Sequence, residues 1–158
     1  MPSHGVVVRD SQVTMSQLML PSDANPHGSV HGGTVLRLID NAAGVAATRH
    51  TRMKVVTARL DEMSFLNPVH IGNLLTAKAS VNATWTTSME VGVRVESEDL
   101  WTGETLHVAS AYLVFVGLGD DDRPSPVPPI AAESTSERRR MADAQRRRDA
   151  RRVPKGES

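Results

Sequence analysis

The residues able to do chemistry gather in one short stretch: Asn25, His27 and His31 in a loop, and Asp40 in the run that follows it. The loop, Pro21-Ser22-Asp23-Ala24-Asn25-Pro26-His27-Gly28-Ser29-Val30-His31-Gly32-Gly33, is broken by Gly and Pro and leads directly into Thr34 to His50, which reads as a helix. A helix start leaves backbone N–H groups without intrahelical acceptors, and these favour negative charge. The loop therefore delivers an amide and two imidazoles to a set of anion-binding donors. A carboxylate follows less than two turns inside, at about 3.6 residues per turn. This is a layout for chemistry at a helix N-terminus.

Taken singly, each of these residues has a plainer reading. A lone Asp inside a helix is usually solvated. Asn25 before Pro26 is an ordinary turn residue, because Asn closes loops and a residue before Pro avoids the helical region. His27 and His31 stand four apart, but Pro26 and Gly28 argue against a helix there, and no carboxylate or Cys completes a metal set, so no metal is expected. His31 is expected to bond backbone near the helix start. Gly32 and Gly33 permit close backbone approach to a ligand.

The elements that must position these groups follow from periodicity. Val13 to Leu20 predicts a first strand, ended by Pro21. In Thr34 to His50 the apolar residues Val35, Leu36, Ile39, Ala42, Ala43, Ala46 and Ala47 follow helical spacing and mark one broad buried face. Its small residues suit a helix enclosed by a sheet. After Arg52 the period changes to two, and Val55 to Phe65, Leu74 to Trp85, Met89 to Glu98 and Leu106 to Leu118 predict four strands. Met89, Val91, Val93 and Val95 alternate with Glu90, Gly92, Arg94 and Glu96, as in a sheet with one buried and one wet face. Short connections predict an antiparallel meander. A five-stranded sheet can bury a single helix only by curling around it, so the fold class is α+β with the helix as core.

A chain of 158 residues, 39% hydrophobic, is sized for about one domain. The division is an N-terminal lead over 1–12, a domain over 13–122, a proline-rich segment over 123–132 that cannot join a ladder, and a charged helix and tail over 133–158. Net charge is zero but unevenly spread: residues 1–132 carry nine Lys/Arg against thirteen Asp/Glu, and residues 133–158 carry nine against five. The absence of cysteine excludes disulfides, thiolate metal sites and a Cys nucleophile. Val6-Val7-Val8 is too short for a signal-peptide core and nothing approaches a membrane span, so a cytoplasmic location and no membrane partner are expected.

At this level of detail the chain resembles the hotdog-fold acyl-CoA thioesterases, in the branch of the brain-type acyl-CoA hydrolase and its short bacterial relatives. The resemblance rests on Leu20-Pro21-Ser22-Asp23-Ala24-Asn25, Gly28 with Val30-His31-Gly32-Gly33, Leu38-Ile39-Asp40, Ala47-Thr48-Arg49-His50, Val56-Thr57-Ala58, Phe65-Leu66-Asn67-Pro68 with Gly72, Thr87-Ser88-Met89-Glu90 and Pro126-Val127-Pro128. It runs in order over roughly residues 13–150. It implies a curled antiparallel five-stranded sheet around one long helix, homodimers joined edge to edge, and trimers of dimers, with active sites between subunits.

The activity implied is hydrolysis of fatty acyl-CoA, with coenzyme A as part of substrate and product and no cofactor. A thiol leaving group, with a free pKa of about 8.5, needs no strong general acid, so a base and an oxyanion hole suffice. Asp40 is the expected base or nucleophile and Asn25 the group that orients water or the thioester oxygen, each from a different subunit. Backbone N–H groups at Gly32, Gly33 and Thr34 would hold the oxyanion. His31, Phe65, Asn67, Thr87 and Ser88 complete the expected substrate contacts, with Arg49, Arg52 or Lys54 as alternative phosphate partners. One departure stands out: Trp85-Thr86-Thr87 replaces the Gly and basic residue that short relatives place before Ser88.

Two rival readings remain. Asp23-Ala24-Asn25-Pro26-His27 faintly echoes the signature of hotdog enoyl-CoA hydratases, but His follows Pro directly and the motif precedes the central helix. A non-catalytic acyl-CoA sensor is the other, with the basic tail as a nucleic-acid contact. Arg138-Arg139-Arg140 and Arg146-Arg147-Arg148 are interspersed with Glu137, Asp143 and Asp149, so a solvated or intersubunit helix is the expectation and nucleic acid is not an expected partner.

Overall fold

The computed structural model describes residues 5–152. In chain order the elements are β1 (Val6–Val7), β2 (Val13–Leu18), α1 (Gly32–Thr51), β3 (Lys54–Phe65), β4 (Leu74–Thr84), β5 (Ser88–Glu98), β6 (Thr105–Leu118), β7 (Ile130–Ala131) and α2 (Thr135–Arg152). Each predicted strand is present within about two residues of its expected ends.

The five long strands form one antiparallel sheet in the order β2-β4-β5-β6-β3. The expected meander holds for β4, β5 and β6 only. β3 lies at the far edge against β6, and the chain crosses through residues 66–73 to begin β4 beside β2. The sheet packs around α1, which touches all five strands. Ala42, Ala43, Ala46 and Ala47 are completely buried, and their small side chains let the strands close on the helix. Extra residues at Ala58 and Asp61 in β3, Asn82 in β4 and Val108 in β6 interrupt the ladders. Such bulges bend and twist strands, which a sheet curled around one helix requires.

The opposite face is less wet than the alternation predicts. α2 docks there, burying Ala144, and Glu90 is wholly covered. Arg147 meets Glu90 through two bonds, Nε to Oε2 at 3.0 Å and Nη2 to Oε1 at 2.7 Å, and its guanidinium lies 3.6 Å from the Tyr112 ring centre. Asn82 Nδ2 donates to the same carboxylate at 3.1 Å. Near its end α2 reaches β3, where Arg151 Nη1 is 2.7 Å from Asp61 Oδ2. The helix is thus not solvated all round, because Arg147 and Arg151 hold it to its own chain through the buried carboxylates of Glu90 and Asp61.

The proline-rich segment also packs. Ser125 and Val127 donate N–H bonds to Gly117 and Thr86, Val127 is buried, and β7 pairs in parallel with β1. Prolines cannot donate, but the residues between and after them do.

Candidate active site

α1 begins at His31, whose backbone is non-helical and whose side chain makes no capping bond. The expected bond from that imidazole to nearby backbone is therefore not made. Thr34 N–H closes onto His31 carbonyl at 3.0 Å, so Gly32 and Gly33 carry the open donors at this helix start. A Cβ on Gly33 would meet nothing within 4 Å, and one on Gly32 would touch only the Phe65 ring, at 3.5 Å. The space over these two amides is clear.

A cleft of about 340 Å³ opens beside them, lined by Ser29, Gly32, Val35, Phe65 and Asn67. Phe65 is 55% exposed, an unusual state for an aromatic ring in a cleft wall. Asn67 is held by its Nδ2 bond to His107 carbonyl at 2.8 Å. Asn25 organises the adjoining loop: its Oδ1 accepts from His27 N–H at 2.9 Å and Ser29 N–H at 3.1 Å, and its Nδ2 donates to Ser29 Oγ at 2.9 Å. One Nδ2 hydrogen is left for another acceptor.

Asp40 lies elsewhere, about 12 Å along α1 from Gly32 at 1.5 Å per residue. Its side chain is exposed, and Oδ1 accepts from Thr57 Oγ1 of β3 at 2.8 Å. A second cleft, about 450 Å³, is lined by Asp40, Val45, Arg49, Thr57 and Phe115. Arg49 borders it while bonding Gln12 carbonyl at 2.8 Å. Thr57 was not singled out by sequence reasoning. Its only signal there was membership of the Val56-Thr57-Ala58 block.

Within one chain, then, Gly32, Phe65 and Asn67 come together, Asp40 and Arg49 come together, and the two groups are separate. Thr87 and Ser88 join neither cleft. They lie at the β4–β5 turn beside α2, where Thr87 carbonyl accepts from Gly117 and Ser88 Oγ from Arg148 at 3.4 Å.

The two clefts sit toward opposite ends of β3, since Thr57 and Phe65 are eight residues apart, about 26 Å of extended strand. β3 is an edge strand, bonded only to β6, and exposes Val56 and Leu60 by 42% and 41%. Such an exposed strand edge, mixing Val56 and Leu60 with Lys54, Arg59 and Glu62, is a surface on which another strand can pair.

The thioesterase superfamily model matches residues 27–103. The chain is 38% identical over 141 residues to protein VdlD of Helicobacter pylori, covering 89% of this chain and 80% of that one. It is 36% identical over 129 residues to a Bacillus subtilis protein named as an uncharacterized acyl-CoA thioester hydrolase, covering 82% and 75%. Among solved structures, an apo-hexameric acyl-CoA thioesterase superposes with a TM-score of 0.88 at 34% identity over 92% of this chain and 95% of that one. The acyl-CoA hydrolase of Staphylococcus aureus, solved with butyryl coenzyme A, coenzyme A and coenzyme A disulfide, gives 0.85 at 33% identity over 93% and 92%. Variants of that enzyme with one aspartate, one threonine or one asparagine changed to alanine have also been solved.

Proposed function

Because the chain belongs to the thioesterase superfamily, among the hotdog-fold acyl-CoA thioesterases, we propose that it hydrolyses fatty acyl-CoA to free fatty acid and coenzyme A, at sites shared between two copies. The observation that carries this reading is the position of the two clefts at opposite ends of the exposed edge strand β3. Two-fold antiparallel pairing of that edge with its copy brings the Gly32 and Phe65 end of one chain beside the Asp40 and Thr57 end of the other. Neither cleft alone holds both a carboxylate and open helix donors. Paired, they hold both, twice per dimer.

In such a site Asp40 is the base or nucleophile, and Thr57 fixes the orientation of its carboxylate. The N–H groups of Gly32 and Gly33 receive the oxyanion as the carbonyl carbon becomes tetrahedral, with the α1 dipole reinforcing them. The remaining Nδ2 hydrogen of Asn25 points water or the thioester oxygen toward the partner's carboxylate. Phe65 and Asn67 border the acyl thioester, and Arg49, which lines the Asp40 cleft, is the phosphate partner nearest it. His31 borders the entrance. Collapse of the tetrahedral species expels the thiolate of coenzyme A, which leaves without an acid catalyst. No cofactor enters this scheme.

The alanine variants of the Staphylococcus aureus enzyme support these roles by analogy: their asparagine, aspartate and threonine follow one another in the same order and at the same spacing as Asn25, Asp40 and Thr57 here. Relatives solved as hexamers support assembly of the dimers into trimers of dimers. No helix of the described residues is long and apolar enough to cross a membrane, and the proposed compartment is the cytoplasm.

Thiol release from acyl-CoAs of C2 to C18 tests the reading. Turnover by the natural chain, lost by about 10²-fold or more in folded Asp40→Asn, is the expected result. Turnover unaffected by that substitution would remove Asp40 from the mechanism. Tight acyl-CoA binding without turnover would make the protein a sensor.

A further inference from the structure

The β5–β6 hairpin carries two large apolar residues at its tip, in water. Trp101 is 98% exposed and Leu100 53%. The tip is rigid: Asp99 Oδ1 accepts from Trp101 N–H at 2.9 Å and Thr102 N–H at 3.3 Å, Gly103 N–H returns to Asp99 carbonyl at 2.7 Å, and Gly103 supplies the positive φ of 76° that closes the turn. An indole held out by a preorganised turn offers about 150–250 Å² of surface for burial at little entropic cost. Glu98, Asp99 and Glu104 surround it, so the tip is acidic.

A receptor of the opposite character lies on the same molecule. Between α2 and the outer face of the sheet runs a groove of about 490 Å³, bordered by Lys78, Arg94 and Arg140 and floored in part by Tyr112, with Asp143 its one acidic lining residue, paired to Arg146. Lys78 and Arg94 share one carboxylate, Glu96, and Arg140 makes no ion pair among the described residues.

We propose that this groove receives Trp101 of a second copy of the chain, and that this knob-in-groove contact links dimers into the larger assembly; the proposal rests on the self-assembly read above. Two tips cannot meet each other, because an isologous contact would bring six carboxylates together. Tip to groove instead sets Glu98, Asp99 and Glu104 against Lys78, Arg94 and Arg140, and lays the indole beside the Tyr112–Arg147 stack. Such a contact is heterologous, and heterologous contacts close into rings, as three dimers would in a hexamer. The acidic flanks disfavour the other use of an exposed Trp, insertion at an anionic lipid surface.

Sedimentation equilibrium on the full chain tests this. The natural chain should run heavier than a dimer, while Trp101→Ser and Arg140→Glu, both changes at exposed side chains, should each run as dimers. Mixing the two variants should rebuild species heavier than a dimer, since the intact tips of Arg140→Glu fit the intact grooves of Trp101→Ser. Thiol release by Trp101→Ser should match the natural chain, because the hairpin tip lies outside both clefts. Retention of full mass by Trp101→Ser, a mixture that stays dimeric, or a natural chain that is only a dimer would each overturn the proposal. So would loss of binding to phosphatidylcholine vesicles by Trp101→Ser at unchanged mass, which would assign the tip to lipid. Absence of thiol release in the natural chain would sink the hydrolase reading and leave these masses as they are.

Discussion

Thr57 Oγ1 donates to Asp40 Oδ1 at 2.8 Å, tying edge strand β3 to the exposed side of α1. The bond sets the carboxylate's rotation while leaving Oδ2 open. It also couples the proposed base to the strand proposed to pair with a second copy. A shift of β3 would move that carboxylate.

Loss of that bond should cost rate and spare binding. A hydrogen bond to a charged group contributes about 1.5–3 kcal/mol, so Thr57→Val is expected to lower kcat by roughly 10-fold or more. KM should change little, because the hydroxyl is spent on Asp40. Steady-state thiol release separates the two. An unchanged kcat would mean that Asp40 needs no such holder.

The buried Glu90–Arg147 pair should make α2 part of the folded unit. Glu90 is fully buried and the Arg147 side chain is 19% exposed. Removing one partner of such a pair leaves an uncompensated charge and typically costs about 3–5 kcal/mol. Arg147→Met should therefore lower the urea midpoint sharply. Glu90→Met combined with Arg147→Met should recover much of the loss, because two apolar side chains leave no charge unpaired. Equal destabilisation in single and double variants would contradict this account of α2 docking.

His50 gives the fold an acid limit. It is 2% exposed, and its Nε2 lies 2.7 Å from Pro128 carbonyl, an acceptor, so the proton resides on Nε2. Nδ1 is buried without a partner among the described residues. Burial lowers the imidazole pKa below its ordinary 6.5, against a smaller opposing contribution from the Pro128 bond. As pH falls below about 6.5 the unfolded chain takes up this proton first, so stability is complete above that value and is lost as pH falls toward the folded pKa. The melting temperature should drop between pH 7.5 and 5.5, with a shallower slope in His50→Gln. An identical slope in the variant would assign the acid sensitivity to other groups.

Much of this architecture was legible because burial imposes a period. Val35, Ile39, Ala42, Ala43, Ala46 and Ala47 repeat at helical spacing because all face one sheet, and Met89, Val91, Val93 and Val95 repeat in twos because all face that helix. What escaped the sequence depends on partners distant in the chain. Nothing local tells β3 to pair with β6 instead of β4. Glu90 reads as a wet residue until Arg147, 57 positions away, covers it. Thr57 is an unremarkable strand residue until the fold sets it against Asp40. At the site, Asn25 and Asp40 carried a signal through motif context, but their separation in one chain is a property of α1's length and of the edge on which β3 ends.

The shared site itself is tested most directly by subunit complementation. Asn25→Ala and Asp40→Asn chains, each expected to be inactive alone, are refolded together so that half the dimers are hybrids. If Asn25 of one chain serves Asp40 of the other, each hybrid holds one site with both residues intact and one with neither, and thiol release should return to roughly a quarter of the natural chain's. If both residues serve the same site within one chain, every site in the hybrid lacks one of them, and the mixture should be as inactive as its parents.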